Sequence, residues 1–388
     1  MSANPMTHEE LIEAAEKLAP LFREKAREAE LARRAPDDVI EAVKASGLYS
    51  MMVPRKFGGQ EADVDTYFEV VLTLARADAS LAWLTAFYIE HNFWALGYDE
   101  SVLEELFADQ PFVLAPVSLN AGGGGAERVE GGFRLNGQWS WGTCVVHGDW
   151  VMPVGMVPGE LPQLFLLPKS EVELIDTWFV SGMCGTGSLD YRIDDVFVPE
   201  SHATPMTAFF GEPGQSPIRY DAPIFQTPLA PILGFAAGLP LLGAAQGALE
   251  AWSRETKIKI EEKRDRMGVL PGDDGKFSVA ARAALTIDAA ELVFREVLRE
   301  LMEERSAASR DTRSGWMSRM SHAIFLVRDA MADLATITGA SGSRLDSPIQ
   351  RALRDIQTAS NHVFFDRESR YADYGRILTG QGAQSLLA

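Results

Sequence analysis

The sequence is poor in cysteine and in basic residues, and both shortages exclude classes of protein. Its 388 residues include two cysteines, Cys144 and Cys184, without Cys-x-x-Cys spacing, so we expect two reduced thiols. Lys and Arg number 36 against 55 Asp and Glu, which gives a net charge of −19. This acidic excess disfavours nucleic acid and an anionic membrane surface as partners. The polar, acidic N-terminus is not typical of a signal peptide, so we expect a cytoplasmic protein.

Motifs for metals and nucleotides are also missing. The six histidines form no His-x-His or His-Glu-x-x-His pair, and none has zinc-like spacing from a cysteine, so we expect no metal site. No GxGxxG or GxxxxGK[ST] motif is present, so neither a Rossmann nor a P-loop nucleotide site has support. The uncharged run 229–249 is long enough to cross a bilayer. Its prolines and many small residues favour a buried bundle helix instead, so we expect no membrane span.

Helical sequence flanks a β-type segment. Residues 8–48, 67–94 and 101–108 show helical spacing, and so do 223–253, 277–305, 315–338 and 347–369, with a loop expected at 261–276. Between them, short apolar runs alternate with Gly, Pro and Asp, and residues 128–135 favour a hairpin that turns at Gly131-Gly132. The pattern predicts an α+β, mainly α protein. It comprises an N-terminal helical domain (1–111), a central β-barrel or sandwich domain (112–216) and a C-terminal four-helix bundle (217–388).

Two histidines lie in aromatic-rich helical sequence, His91 in YIEHNFWAL and His362 in TASNHVFFD. Taken singly, each is more often a core histidine bonded to a backbone carbonyl. Taken jointly, helices from different blocks could bring them to one aromatic pocket. Imidazole there could accept a phenolic proton or hold a phenolate near neutral pH.

Two polar loops could contact a cofactor. Trp141-Gly142-Thr143-Cys144 follows a strand and is either simple turn chemistry or a wall against a flat ring system. Gly185-Thr186-Gly187-Ser188 offers hydroxyls and amides that could cradle a phosphate or a ring edge, although such runs are common in loops.

Arg351 and Arg354 stand one helical turn apart. They form either salt bridges within the bundle or an anion site at a subunit or cofactor interface.

Five segments, in this order, resemble the acyl-CoA dehydrogenase superfamily, and together they span nearly the whole chain. They are VPRKFGG (53–59), RADASLAWLTAFYIEHNFWAL (76–96), FRLNGQWSWGTCVVHGDWV (133–151), DTWFVSGMCGTGSLDYRIDDVFVP (176–199) and TGASGSRLDSPIQRALRDIQTASNHVFFD (338–366). The histidine of the second segment, WSWGTC and NHVFFD are similar to the two-component (group D) flavin-dependent monooxygenases within that superfamily.

The resemblance implies an acyl-CoA dehydrogenase-like fold and a homotetramer. It also implies a monooxygenase that receives reduced FMN or FAD (FMNH2 or FADH2) from a separate NAD(P)H:flavin reductase. Such an enzyme forms a flavin C4a-hydroperoxide with O2 and inserts one oxygen atom into a small aromatic substrate, phenolic or indolic. It does so by C-, N- or S-oxygenation.

The resemblance also implies roles for individual residues. His91 and Ser118 would line the substrate site, His362 would face the reaction centre, and the Thr143 hydroxyl would lie near flavin N5 and C4a. The remaining flavin contacts would come from Trp141, Gly142, Cys144, Gly185, Thr186 and Ser188, and we add Arg351 and Arg354 as cofactor-binding candidates.

Two other readings stay open at this point. An acyl-CoA dehydrogenase with bound FAD would need a carboxylate base near the C-terminus, but ADYGRILTG (372–380) contains no Glu, and neither Glu368 nor Asp373 matches that position. Cys184 stands where that superfamily usually has Arg, and Gly142-Thr143 where it has a Ser pair. A non-catalytic scaffold or binding protein of the same fold would bind no flavin in either redox state.

Overall fold

The structure, a computed structural model, describes residues 4–120, 123–206, 209–210, 218–267 and 274–385. These residues form ten α-helices: α1 His8–Ala32, α2 Asp37–Ser46, α3 Val64–Ala75, α4 Ala79–Ala95, α5 Glu100–Leu106, α6 Leu229–Met267, α7 Asp274–Glu304, α8 Arg310–Thr336, α9 Pro348–Ala359 and α10 Arg367–Leu378. All strands lie between α5 and α6. The predicted α+β, mainly α fold, with its helical, β, helical order, is confirmed.

The strands form two sheets: β1 Val117–Ser118, β2 Gly124–Val129, β3 Gly132–Trp139, β4 Trp150–Gly155, β5 Gln163–Phe165, β6 Leu167–Pro168, β7 Glu173–Ile175, β8 Asp190–Pro199 and β9 Ala203–Pro205. One sheet has the order β1-β4-β5-β9, with β6 also paired to β4, and the other has the order β2-β3-β8-β7. β1 and β4 are parallel, and the other pairs are antiparallel.

The predicted hairpin is present, as β2 and β3. Val129 pairs with Gly132, and Gly131 takes φ +80°, a left-handed conformation that glycine adopts without steric cost. Phe133, Leu135 and Trp139 alternate along β3 towards a core that also contains Phe165 of the other sheet. Apolar side chains from both sheets therefore fill the β-region, as in a sandwich.

The helix expected over 67–94 is instead two helices, α3 and α4. The break falls at Arg76–Asp78, where the Asp78 side chain accepts a hydrogen bond from Leu81 N (3.0 Å) and caps α4. Because both helices are apolar on nearly every face, periodicity alone did not reveal the boundary between them.

The helix expected over 347–369 is also interrupted, between α9 and α10. The Asn361 amide donates to the carbonyls of Gln357 (2.8 Å) and Thr358 (3.4 Å), which ends α9, and His362 follows in extended conformation. A short 3₁₀ turn, Val363–Phe365, precedes α10. His362 therefore lies in the break between two helices rather than within one.

The loop expected at 261–276 is mostly helix where it is described. α6 continues to Met267 and α7 begins at Asp274, while residues 268–273 lie outside the described residues. Of the residues that indicated a loop, Pro271 and Gly272 lie outside the described residues and Gly275 lies in α7, while residues 261–264 are an exposed part of α6.

The uncharged run 229–249 forms the first half of α6. By length and composition this helix could cross a membrane, but 89% of its most apolar 18-residue window is buried inside the protein. It packs against α3, α4, α8 and α9. The run therefore forms the central helix of the bundle, as its small residues predicted.

Candidate active site

Helix α4 is the central element of the candidate site. All 17 of its residues are buried, so each of its faces contacts another part of the protein. Trp83, Phe87 and His91 follow at four-residue intervals and therefore share one side of the helix. Leu84 and Tyr88 lie on an adjacent side and contact the loop that follows β3.

The two predicted histidines both lie near the ring of Phe87. The Phe87 ring centroid is 5.5 Å from that of His91 and 6.2 Å from that of His362. His362 also makes an edge contact with Trp83 at 5.5 Å and stacks on Phe364 at 5.3 Å. The structure thus brings His91 and His362 to one aromatic cluster, although their side chains do not touch.

Both imidazoles are neutral near pH 7. Burial lowers the pKa of His91 to about 3, and the Ala115 backbone opposes this shift only weakly. Desolvation by burial lowers the pKa of His362 to about 4, although the residue as a whole is only half-buried. The Phe364 N–H donates to His362 Nδ1 (3.4 Å), which favours the tautomer with its proton on Nε2.

Ser118 ends β1, three residues beyond the Ala115 backbone that faces His91. Its hydroxyl is buried and makes no hydrogen bond of normal geometry within the described chain. The hydroxyl of Tyr191 on β8 is likewise buried and unpaired, and the two lie close enough for Ser118 to lower the pKa of Tyr191, which burial raises. Two unpaired hydroxyls on neighbouring residues indicate a site able to bind a polar ligand atom.

The loop Trp141–Cys144 is held in an unusual conformation. Trp141 and Cys144 both have positive φ, at 64° and 73°, which costs a non-glycine residue about 1 kcal/mol or more. Tyr88 donates to the Cys144 carbonyl at 2.5 Å, and the Cys144 thiol donates to the Leu84 carbonyl at 3.6 Å. The Cys144 side chain is therefore turned into the protein, so a contact of this residue with a cofactor would have to use its backbone.

Hydroxyl groups connect this loop with the second predicted loop. Ser188 donates to the Thr143 hydroxyl at 3.2 Å, and the Thr186 and Ser188 hydroxyls are 2.8 Å apart. Thr186 and Ser188 are buried, whereas Thr143 is only half-buried. No described partner accepts the Thr143 proton, so this hydroxyl can donate to a bound group.

The surface around Thr143 suits a flat ring system. Trp141 is 63% exposed and meets Trp178 edge-on at 5.6 Å. Gly142 follows, and a Cβ there would lie 2.9 Å from the Leu189 carbonyl oxygen and 3.0 Å from the Tyr191 ring, so only glycine fits. A free aromatic face next to a free hydroxyl donor is what a flavin ring and its polar edge require.

Arg351 and Arg354 are both paired with carboxylates of the same chain. Arg351 lies 3.4 Å from Asp78, and Arg354 binds Glu30 at 2.5 Å and donates to the Ser181 carbonyl at 2.7 Å. Between them, Asp355 accepts from Met183 N at 2.5 Å. Burial and the neighbouring Asp78 charge raise the pKa of Asp355 to about 7. Of the two sequence alternatives, the salt-bridge arrangement is present, and it fixes the segment that leads into Gly185–Ser188.

Gly185 packs inside this arrangement. A Cβ there would lie 3.1 Å from the side chains of Ala29 and Ser80, so the residue joins the loop to α1 and to the start of α4. In the second loop, Ser188 donates to the Thr143 hydroxyl and also contacts the Thr186 hydroxyl, so these two residues are the ones connected to Thr143.

Sequence reasoning missed Glu90, Tyr191 and the role of Tyr88. Glu90 is the one carboxylate in the run 79–95, and a charge in so apolar a helix was a usable signal. Tyr191 gave no signal, because its closeness to Ser118 depends on how the two sheets pack. Asp373, weighed as a dehydrogenase base, is buried and accepts from Ser314, Arg376 and the backbone N–H groups of Gln384 and Ser385.

Comparisons with known proteins agree with this architecture. The family model "Acyl-CoA dehydrogenase, N-terminal domain" matches residues 6–100, and "Acyl-CoA dehydrogenase, C-terminal domain" matches residues 235–367. A pigment production hydroxylase from Rhodococcus sp. is 31% identical over 383 residues, covering 96% of this chain and 97% of the relative. The oxygenase component of FADH(2)-dependent resorcinol hydroxylase from Rhizobium sp. is 28% identical over 410 residues, covering 97% and 96%.

A solved structure extends the likeness to three dimensions. The crystal structure of 3-HSA hydroxylase from Rhodococcus sp. RHA1 superposes with a TM-score of 0.89 at 25% identity, covering 98% of this chain and 100% of that one. The expected acyl-CoA dehydrogenase-like fold is thereby confirmed. The chain belongs to the acyl-CoA dehydrogenase family, within the branch formed by the oxygenase components of flavin-dependent monooxygenases.

Proposed function

We propose that this enzyme inserts one oxygen atom from O2 into a small phenolic or indolic substrate, using reduced FMN or FAD supplied by a separate NAD(P)H:flavin reductase. The observation that carries the proposal is that two adjacent sides of α4 contact the two sets of candidate residues. One side of the helix gathers His91 and His362 around Phe87, and the adjacent side holds the loop of Thr143. The proposed substrate groups and cofactor groups thus all contact one helix, α4. The names of the relatives, hydroxylases among them, support this assignment.

The aromatic cluster would bind the substrate ring. Trp83, Phe87 and Phe364 supply apolar surface that excludes water. His362 carries its proton on Nε2 and can donate to the substrate oxygen, as can the unpaired Ser118 hydroxyl. Neutral donors around that oxygen favour a bound phenolate, whose ring is richer in electrons and more reactive towards an electrophilic oxygen.

The loop of Thr143 would bind the flavin. Trp141 offers its exposed ring face, Gly142 lets the loop pack closely against Leu189 and Tyr191, and the Thr143 hydroxyl can donate to the polar edge of the ring. When bound, the reduced flavin supplies the electrons that activate O2. Ser188 and Thr186 orient the Thr143 hydroxyl from behind. The protein's contribution is to position this donor and to keep water away.

The test is reconstitution from separate components. Purified protein is mixed without oxygen with reduced FMN or reduced FAD, and then with ¹⁸O₂-saturated buffer that contains resorcinol, phenol or indole. We expect the protein to bind a reduced flavin, to change its rate of reoxidation, and to give a product that carries one ¹⁸O atom. Binding of neither flavin would favour the scaffold reading and refute the proposal.

The dehydrogenase reading receives no support from the site. Asp373 anchors residues 384 and 385. Burial alone would raise its pKa, but hydrogen bonds from Gln384 N, Ser385 N and the Ser314 and Arg376 side chains lower that pKa below its usual value, so Asp373 does not serve as a free base. A dehydrogenase would be purified with oxidised FAD bound and would lose its yellow colour when an acyl-CoA is added. That result would replace the monooxygenase assignment.

We also propose that the enzyme is a cytoplasmic homotetramer. On α7, Leu285 and Leu292 are 69% and 68% exposed and lie two turns apart, so they share one uncovered face. Apolar side chains in such a position are commonly covered by a second subunit. Light scattering after size exclusion should give four times 42.5 kDa. A monomeric mass would contradict this part of the proposal.

A further inference from the structure

Glu90 is a buried carboxyl group with one oxygen unpaired. It lies on α4 and is fully buried, and its Oε1 accepts from Trp94 Nε1 at 2.5 Å. Its Oε2 is buried without a hydrogen-bond partner among the described residues. Leaving a buried polar atom unpaired costs about 1–3 kcal/mol. The packing of an apolar helix does not require a carboxyl group, so packing does not explain why Glu90 is present.

The unpaired oxygen lies beside His91. Oε2 is 3.7 Å from His91 Nε2, about 0.7 Å longer than an ordinary hydrogen bond. Bonds of this kind are often long in the ligand-free protein and shorten when a ligand binds. On the other side of the ring, His91 Nδ1 is also buried and makes no hydrogen bond of normal geometry among the described residues, although the Ala115 backbone is close enough to the ring to raise its pKa. The two unpaired atoms therefore belong to two adjacent side chains.

The protonation states of the two groups are complementary. Burial raises the pKa of Glu90 well above its usual range, and no cation is paired with Glu90 in the described part of the chain. The hydrogen bond from Trp94 partly offsets this rise in the pKa of Glu90. Tyr67, the other titratable group close by, is neutral because burial raises its pKa as well. A protonated carboxyl can donate to the nitrogen that lacks a proton, and a neutral imidazole has one such nitrogen.

We propose that Glu90 is a positioning residue: its carboxyl donates to His91 Nε2, which places the ring proton on Nδ1 and makes Nδ1 a donor to the oxygen of a phenolic substrate. The inference rests on the proposed function, because it assigns His91 a part in binding that oxygen. On binding, the phenol releases its proton to solvent, since neither Glu90 nor His91 takes it up. His91 thus acts as a neutral hydrogen-bond donor and not as a base.

Trp94 makes the substitution Glu90→Gln unusually informative. The Trp94 N–H requires an acceptor, so the amide oxygen of Gln would remain at Trp94 and its NH2 group would face His91 Nε2. The Gln variant therefore reproduces the donor of a protonated carboxyl. Glu90→Leu, of similar volume, removes that donor. Because Leu also removes the acceptor of the Trp94 N–H, the two variants differ in the proposed hydrogen bond and in the bond from Trp94.

The first measurement needs no ligand. An infrared difference spectrum of wild type minus Glu90→Gln at neutral pH should show the C=O band of a protonated carboxyl. Other buried carboxyls, such as that of Asp355, are common to both proteins and cancel. Absence of the band would mean that Glu90 is ionised and would overturn the proposal.

The second measurement uses 4-nitrophenol, whose phenolate is recognised by its absorbance. Its bound phenolate fraction is followed against pH in wild type and both variants. We expect the acid dissociation constant of bound 4-nitrophenol to be at least tenfold larger in wild type and in Glu90→Gln than in Glu90→Leu. The proposal would be overturned if this constant were equal in Glu90→Leu and wild type. It would also be overturned if the constant were as small in Glu90→Gln as in Glu90→Leu. Failure of wild type to bind the probe would count against the proposed substrate class, and the infrared band would still decide the role of Glu90.

Discussion

The hydrogen bond from Tyr88 to the Cys144 carbonyl gives the most direct test of how α4 supports the loop Trp141–Cys144, the proposed flavin contact. Tyr88 is fully buried, and the donor and acceptor are 2.5 Å apart. The same carbonyl accepts a second hydrogen bond, from His147 N at 3.2 Å. The substitution Tyr88→Phe removes the first bond without opening a large cavity. We expect it to loosen the loop while the rest of the core remains intact.

The expected magnitude follows from the remaining partner. Because His147 N still satisfies the carbonyl, the loss should be that of one buried hydrogen bond, about 1 kcal/mol, and not the larger cost of an orphaned group. The loop has an unfavourable backbone conformation at Trp141 and Cys144. The hydrogen bond from Tyr88 therefore directly opposes the return of the loop to a less strained conformation. A change of about 1 kcal/mol raises the population of displaced loop about fivefold.

The assay is the coupling ratio, the amount of hydroxylated product formed for each reduced flavin consumed, with released hydrogen peroxide measured in parallel. We expect Tyr88→Phe to lower this ratio severalfold, because Thr143 lies within the loosened loop. Tyr49→Phe is the matched control. Tyr49 packs edge-on against Tyr88 at 5.5 Å, and its buried hydroxyl makes no hydrogen bond of normal geometry in the described chain. A Tyr49→Phe effect as large as that of Tyr88→Phe, or unchanged coupling in Tyr88→Phe, would refute the reasoning.

Four further results are expected. His362→Ala should abolish most hydroxylation while binding of reduced flavin, followed by fluorescence, survives; unchanged turnover would remove His362 from the mechanism. Thr143→Val should raise the peroxide released per flavin about tenfold, the effect of one lost donor, and an unaltered ratio would exclude that role. His91 has a pKa of about 3 when folded and about 6.5 when unfolded, so wild-type stability falls as pH drops from about 6.5. In urea titrations the free energy of unfolding of His91→Gln should fall with decreasing pH less steeply than that of wild type, by about 1.4 kcal/mol per pH unit. An equally steep fall would contradict a buried, neutral His91. Asp373→Asn should free residues 384 and 385 for carboxypeptidase digestion at a cost of about 2 kcal/mol, and unchanged digestion would show that other contacts anchor them.

The sequence was sufficient to predict the order of elements, because that order depends on local periodicity and turn residues. The hairpin at Gly131 follows from a glycine pair between alternating apolar positions. The boundaries at Asp78 and Asn361 could not be predicted in the same way. The helices around Asp78 are apolar on all sides, and the end of α9 depends on one side-chain amide that bonds back to Gln357 and Thr358.

The candidate site was predictable only where residue type carried the chemistry. Histidines beside aromatic residues indicated a pocket, and the structure brings His91 and His362 to one ring, that of Phe87. The partners of the arginines were not predictable, since Arg354 binds Glu30 across 324 residues of sequence. The bond between Asp355 and Met183 N likewise spans 172 residues. Pairs so distant in sequence are decided by packing, which periodicity does not encode.

The buried ionisable groups around α4 have a common explanation. Asp78 at its start pairs with Arg351, Glu90 near its end lies beside His91, and Asp355 holds Met183 at the entrance to the second loop. Replacing buried pairs of this kind by apolar residues is often neutral or stabilising, so stability does not account for them. Each of these groups instead contacts a residue of the segments that form the proposed site: Arg351 on α9, His91 on α4, or Met183 before the second loop. Because such bonds are directional and apolar packing is not, a helix that must hold a donor within a fraction of an ångström requires them.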